Sequence, residues 1–343
     1  MSTLEKISEE PVESWSYSRE NSAPSNAFCA LVLEKFQQIT QYYFLFHAGF
    51  CALALVELVS SLILFSFLSK SSLLALLLAA LLLTAFTYLV LLFYFQAKKP
   101  EQMIELKDTF LELYKKNATD SASLADLIYT MNGQLDQRFY HQEIALKQFP
   151  SLQLLMKKFR IWATWRDLHK MKEILLLIIV NEQIEKIKAS ALDLEAHAAL
   201  GSAYLALSQL YVPDPHMAWI PPQYSSSKMT QKHHFMASRA LEEFKILDTL
   251  SPHDLWIHAQ LASLYHSLEL VHEEIAEYEA MQNIAPQDPL ILMRLGTLYF
   301  HQGRNAKGLQ IYQELNTISE THAHQLLSTY DAYTTLETQF DTV

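Results

Sequence analysis

Two long apolar segments near the N-terminus constrain this chain more than any other feature. Residues 44–68 and 73–95 are almost wholly apolar, and only residues 69–72 separate them. Each segment is long enough to cross a hydrocarbon core of about 30 Å. A connection this short forces the two helices to run antiparallel, so both ends of the hairpin lie on one side. We therefore predict a transmembrane helical hairpin over residues 43–96.

Basic residues indicate which side of the membrane holds those ends. Lys35 precedes the first segment and Lys98 and Lys99 follow the second, whereas the connection contains only Lys70. Cytoplasmic flanks of membrane spans carry an excess of Lys and Arg. The sequence predicts an integral membrane protein with both termini in the cytoplasm, at a bacterial inner membrane.

One acidic residue, Glu57, lies near the middle of the first segment. A charge at that depth costs about 2.5–3.5 kcal/mol on insertion scales. Folding the hairpin brings Glu57 level with Thr84, so Thr84 or Thr87 is expected to donate it a hydrogen bond. We interpret Glu57 as a protonated polar contact between helices, within one chain or between chains of a homo-oligomer. The alternative is a proton or ion site in oligomerised hairpins that transport.

Composition narrows the fold and the function class. The formal net charge of −11 argues against a broad nucleic-acid-binding surface, and two cysteines exclude a disulfide framework. Six glycines are too few for a turn-rich β fold, so an all-α chain is predicted. Residues 1–42 are acidic and Ser-rich, and we expect them to be mostly disordered with a short helix before the membrane.

A period of 34 residues runs through the C-terminal third. The residues that recur are apolar, aromatic or proline, and the matched pairs are Leu261 and Leu295, Tyr265 and Tyr299, Tyr278 and Tyr312, and Pro252 and Pro286. The last unit also has Gly296 after Leu295, and Gly308 four residues before Tyr312. Small residues let paired helices approach, and large residues fill the space between them.

This pattern resembles the tetratricopeptide repeat family, in which Leu-Gly or Leu-Ala and then Tyr mark a first helix. A small residue and then an aromatic mark the second helix. The resemblance implies helix pairs that stack into an α-solenoid, since one pair cannot bury its apolar face alone. It covers residues 191–319. Residues 320–343 are predicted to form a capping helix and tail, and residues 97–190 a helical region into which degenerate repeats extend.

An earlier unit is interrupted. Leu200, Gly201 and Tyr204 match a first helix, and Ala240 and Phe244 match a second, but 27 extra residues separate them. A Pro-rich insert at about residues 210–234 is predicted here, because its four prolines exclude one continuous helix.

Two aromatic residues of the insert, Trp219 and Tyr224, are candidates for contact with a partner, since long loops are uncommon unless they are functional or disordered. The alternative is that Trp219 packs back onto the repeats.

No catalytic motif is present. The chain has no Gly-rich phosphate loop, GxSxG or HExxH sequence, and its paired histidines lack other ligands at metal-binding spacing. The sequence predicts no enzyme, no cofactor and no metal site.

A groove on the first helices is the predicted binding site for protein partners. The family's clamp for a peptide carboxylate is not matched, because Arg294 is the only basic residue at a clamp position. The groove is predicted to be apolar and hydroxylic, which suits a hydrophobic or helical segment. The other residues that line it are Trp256, Ser263, His266, Met293, Thr297 and Phe300.

Two functional hypotheses follow. In the first, the hairpin tethers a repeat scaffold that binds partner proteins at the cytoplasmic membrane face. In the second, the acidic N-terminus and closely spaced hairpin are similar to inclusion-membrane proteins of chlamydia-like bacteria. That architectural resemblance covers residues 1–99 and implies a type III-secreted protein that presents its repeats to host proteins from a host-derived inclusion membrane.

Overall fold

The computed structural model describes residues 25–68, 72–117, 123–140, 150–212 and 227–340. These residues form eleven α-helices and no strand, which confirms the predicted all-α class. The helices are α1 Ser25–Leu68, α2 Ser72–Asn117, α3 Leu124–Tyr140, α4 Pro150–Ala189, α5 Leu194–Leu210, α6 Ser227–Leu250, α7 Leu255–Ser267, α8 Val271–Ile284, α9 Pro289–His301, α10 Asn305–Ile318 and α11 Glu320–Phe340. The chain divides into two compact units, Met1–Gln142 and Glu143–Val343.

The first unit has a packed end, which we name the base. There α1, α2 and α3 each bury apolar residues at helical spacing, as amphipathic helices do. The buried residues are Cys29, Val32, Leu33, Phe36, Met103, Leu106, Phe110, Leu124, Leu127, Ile128, Met131 and Leu135. Helix α1 runs without a break from Ser25 through residue 42 into the first apolar segment.

The rest of the hairpin, residues 44–63 and 75–98, buries no side chain, and we name it the apolar arm. Its large side chains are open: Leu82 is 69 %, Phe93 67 % and Phe86 65 % exposed. Both α1 and α2 contain segments, Cys29–Ile63 and Ala75–Lys116, that are long and apolar enough to cross a membrane.

The second unit is built from consecutive helices that pack on one another, from α4 to α11. Its frame repeats closely: α7 and α9 have 13 residues each, and α8 and α10 have 14. Helices α5, α7 and α9 each begin after an aspartate, Asp193, Asp254 or Asp288, whose side chain accepts a hydrogen bond from a backbone N–H of the first turn. Such caps satisfy donors that the helix leaves unpaired.

The predicted insert lies between α5 and α6, and the first residues of α6 belong to it. Helix α5 has 17 residues and α6 has 24, so both are longer than their counterparts in the later pairs. Because α6 begins at Ser227, residues 227–234 are helix rather than loop, which corrects the predicted boundary. His233 is buried in this part of the helix, with its ring nitrogens 3.0 Å from Ser208 O and 3.3 Å from Ser267 O. Residues 213–226, with Trp219 and Tyr224, lie outside the described residues.

Candidate partner-binding surface

The predicted groove residues fall into three groups. Ser263 and His266 are exposed. Met293 and Thr297 are half-buried, and Thr297 donates a hydrogen bond to Met293 O at 2.8 Å. Trp256 is 43 % exposed and its ring meets the buried Phe244 edge-on, with centroids 5.6 Å apart.

Phe300 is not a groove residue, which corrects the sequence prediction. Its side chain is 4 % exposed and packs against Tyr330, with ring centroids 4.8 Å apart. The ring also covers Gly308, where an added Cβ would lie only 2.3 Å from a ring carbon. The absent side chain at Gly308 is what lets Phe300 turn into the core.

The centre of the groove is an ionic cluster. Arg294 Nη2 lies 3.1 Å from one carboxylate oxygen of Glu274, and His266 Nδ1 lies 3.1 Å from the other. Glu274 is 1 % exposed, whereas the side chains of Arg294 and His266 are 38 % and 63 % exposed. The buried carboxylate thus holds the half-exposed Arg294 guanidinium and the exposed His266 ring in place at the surface. This arrangement can bind an acidic group.

A second exposed surface lies where each helix pair meets the next, and we name it the turn edge. Its apolar residues, with their exposed fractions, are Leu192 76 %, Leu290 59 %, Leu194 45 %, Leu250 44 %, Trp256 43 % and Ile318 41 %. Groups of exposed apolar side chains on soluble proteins commonly mark interaction sites.

Sequence reasoning found only Trp256 on the turn edge. The signal for Leu192, Leu194 and Leu290 was the position of the aspartate caps. Leu192 and Leu194 flank Asp193, and Leu290 lies two residues after Asp288, as Trp256 does after Asp254.

Glu173 of α4 contacts Tyr211, at the end of α5, and Lys232, in α6. One oxygen of Glu173 accepts hydrogen bonds from Tyr211 at 2.6 Å and Lys232 at 2.9 Å, and the other pairs with Lys170 at 2.8 Å. Burial raises the pKa of Glu173, but these three donors lower it by more, to about 2. The carboxylate therefore stays charged at physiological pH and ties α5 and α6 to α4.

The predicted polar pair of the hairpin is in contact. Thr84 Oγ1 donates to Glu57 Oε1 at 2.9 Å, while Thr87 Oγ1 donates to Leu83 O instead. A second contact joins the helices nearer the base, where His47 Nδ1 lies 3.1 Å from the Tyr88 hydroxyl. These bonds pair polar groups across an otherwise apolar hairpin.

Among the described residues, no group of three or more His, Cys, Asp or Glu side chains is placed to hold a metal ion. The chain matches no protein-family model and no curated protein.

Proposed function

We propose that this protein is a membrane-anchored scaffold, in which the apolar arm crosses a bilayer and the second unit binds partner proteins. The observation that carries the proposal is the apolar arm itself. Two paired helices expose their Leu and Phe side chains over residues 44–63 and 75–98, and none is buried. Water does not favour such a surface, whereas a bilayer does, and α-helices satisfy their own backbone hydrogen bonds there.

The chain offers a natural reporter for the anchor. Cys51 is exposed on the apolar arm, while Cys29 is buried in the base. In intact membranes we expect Cys51 to react with a membrane-permeant maleimide only after detergent is added. We expect the protein to remain in the membrane pellet after alkaline carbonate extraction. Ready labelling of Cys51 by an impermeant maleimide in intact vesicles would contradict the anchor. Protease protection of terminal tags tests whether both termini are cytoplasmic.

For the second unit we propose a tetratricopeptide-like solenoid. Three aspartate-capped helix starts and the equal lengths of α7 and α9, and of α8 and α10, support a repeated frame. Contacts of small with large residues support it too: an added Cβ at Gly201 would lie 3.1 Å from Phe244, and one at Gly296 2.6 Å from Leu326. Stacked pairs of this kind expose extended binding surfaces.

The partner that fits best is a helical segment with an apolar face and an acidic side chain. The apolar face would contact the turn edge, and the acidic group would meet Arg294 and His266. Helix-in-groove recognition uses this combination of apolar anchors and polar positioning. A homo-oligomer through the hairpin stays a separate prediction.

Photo-crosslinking from position 290 of the full-length protein in native membranes tests the proposal. We expect discrete partner adducts that Arg294→Ala reduces at least tenfold. Leu309→Ser is the matched control, because Leu309 is 39 % exposed on α10 and belongs to neither the turn edge nor the ionic cluster. Equal loss with Leu309→Ser, or adducts that Arg294→Ala leaves unchanged, would argue against a specific site.

A further inference from the structure

The N-terminal half of α4 presents a surface that the proposed scaffold does not use. Over residues 153–169 the exposed side chains are either apolar or basic, and we name them the basic-apolar face: Leu154, Leu155, Lys157, Lys158, Trp162 and Arg166. Leu155 is 63 %, Leu154 57 % and Trp162 43 % exposed. All three are large apolar side chains that water does not favour.

Helical geometry places five of these residues within about 120° of one another around α4, with Lys157 about 60° beyond Leu154. Leu154, Lys158, Trp162 and Arg166 follow one another at intervals of four, so they form one row about 18 Å long. From residue 164 onward the opposite side of α4 is buried in the second unit, through Thr164, Asp167, Leu168 and Met171. The unit's own packing therefore fixes which side of α4 faces outward.

The charge of this segment is opposite to that of the chain. Residues 153–170 contain five basic residues and one acidic residue, in a protein of formal net charge −11. Large apolar side chains, a tryptophan and flanking Lys and Arg on one helix face are typical of helices that lie in the interface of an anionic bilayer. A nucleic acid would engage the cations but leave Leu154 and Leu155 in water.

We propose that the basic-apolar face of α4 lies on the headgroup region of anionic lipids, with Leu155 and Trp162 inserted at the acyl boundary. The inference extends the proposed function, since the anchor keeps the face at a high effective concentration of lipid. The second unit then contacts the membrane through its own helix α4. This contact restricts the directions in which the repeats present their partner surfaces.

Spin labels in full-length protein in nanodiscs test the contact. Single cysteines are introduced at positions 162 and 181 in a Cys29→Ser, Cys51→Ala background, with discs of phosphatidylcholine alone or with phosphatidylglycerol. Asn181 is exposed on the same helix but outside the face, so it is the matched control. We expect the label at 162 to be shielded from aqueous nickel chelate and open to oxygen only in anionic discs, and the label at 181 to stay aqueous in both.

Neutralising Lys157, Lys158 and Arg166 with Ser should expose the label at 162, since each basic residue contributes about fivefold to partitioning onto an anionic surface. A label at 162 that stays aqueous in anionic discs overturns the proposal. Shielding already present in detergent shows a protein contact instead, and shielding by added RNA but not by phosphatidylglycerol shows a nucleic-acid site. A label at Ala79 in the apolar arm reports the anchor separately, so failure of the anchor and failure of the α4 contact are distinguished.

Discussion

The helix pairs α7–α8 and α9–α10 have helices of equal length at positions 34 residues apart, but different side-chain contacts stabilise them. In α7–α8, His258 Nδ1 lies 2.7 Å from Glu277 Oε2, and Nε2 lies 3.1 Å from Pro252 O. The equivalent residues in α9–α10 are Leu292 and Ile311, which are 0 % and 5 % exposed. A buried ionic pair in one unit is thus an apolar contact in the next.

A second position changes in the same way. His266 contacts Glu274 in α7–α8, whereas the equivalent Phe300 covers Gly308 in α9–α10. The preceding pair, α5–α6, keeps the ionic form of the first position: His197 Nδ1 lies 2.6 Å from Glu243 Oε2, and Nε2 lies 3.1 Å from Ala191 O. The same helix-pair backbone thus accepts either chemistry, and the ionic form adds a hydrogen bond from the histidine ring to the preceding turn.

The largest expected effect comes from breaking one ionic pair. His258→Leu leaves Glu277 without its partner at a site where the Glu277 side chain is only 17 % exposed. Loss of one member of such a pair costs several kcal/mol when the other stays buried, and we expect about 2–4 kcal/mol here. Hydrogen exchange of the α7 and α8 amides in the full-length protein measures this loss.

The double variant His258→Leu, Glu277→Ile transfers the α9–α10 chemistry to α7–α8. Replacement of a buried ion pair by packed apolar residues is often neutral or stabilising. We expect the exchange protection to return to within about 1 kcal/mol of the natural protein. A double variant as unstable as the single one would show that the two pairs do not share a frame.

In the helix pair α9–α10, Gly308 is the position at which an added side chain would disturb the core most directly. Gly308→Ala forces the Phe300 ring to move, because the new Cβ would lie 2.3 Å from it. Overpacking costs about 1–3 kcal/mol, and the better helix propensity of Ala offsets about 1 kcal/mol of this. We expect a net loss of up to about 2 kcal/mol in α9–α10 by hydrogen exchange. Gly133→Ala, also in a helix but with open space around the Cβ, should stabilise α3 and serves as the control.

A change of pH should affect the stability of the helix pairs that contain a His–Glu contact, α5–α6 and α7–α8, but not that of α9–α10. Both ring nitrogens of His258 face acceptors, so only the protonated ring donates to both. Burial lowers the pKa of His258, but the hydrogen bonds to Glu277 and Pro252 raise it by more, and nearby Asp248 adds to the rise. The pKa of His197 is raised likewise, with Glu243, Ala191 and Asp193 outweighing burial.

A raised folded-state pKa fixes the sign of the effect. The stabilisation is complete below the ordinary histidine pKa of about 6.5 and disappears as pH rises through the higher folded value. We expect α5–α8 to lose exchange protection, corrected for intrinsic rates, from pH 6 to pH 9, while α9–α10 keeps its protection. The loss should be smaller than that from His258→Leu, since each pair loses only one hydrogen bond. Equal changes in both regions would contradict the assignment.

The sequence predicted the positions of the helices better than it predicted which side chains are exposed. The period and the apolar segments are properties of spacing, and spacing predicts where helices lie. Phe300 was misplaced because its counterpart His266 faces the groove, and only the contact with Gly308 turns the phenylalanine inward. The role of Glu274 was missed for the same reason: it takes a position that is small in the other units, Ala240 and Gly308, and its partners come from two other helices.

The smallest expected effect lies in the turn between the two helices of each pair. Glu269 and Gly303 occupy the same position, with φ of 59° and 66°. In both turns the next residue donates to a carbonyl of the preceding helix, Leu270 N to Tyr265 O and Arg304 N to Tyr299 O, each at 2.9 Å. The turns are thus equivalent, but glycine adopts a positive φ without steric cost, whereas glutamate does not.

Exchanging the two residue types should therefore have opposite effects. Glu269→Gly is expected to stabilise α7–α8 by about 0.5–1 kcal/mol, and Gly303→Ala to destabilise α9–α10 by about 1 kcal/mol. An added Cβ at Gly303 meets no atom within 4 Å, so the second change measures backbone strain alone. Hydrogen exchange of the flanking helices measures both, and Glu273→Gly, inside α8, is the control for the helix propensity of glycine. If Glu269→Gly destabilised its pair, the Glu269 side chain would have to contribute more than the strain that it imposes, and the two turns would not be equivalent.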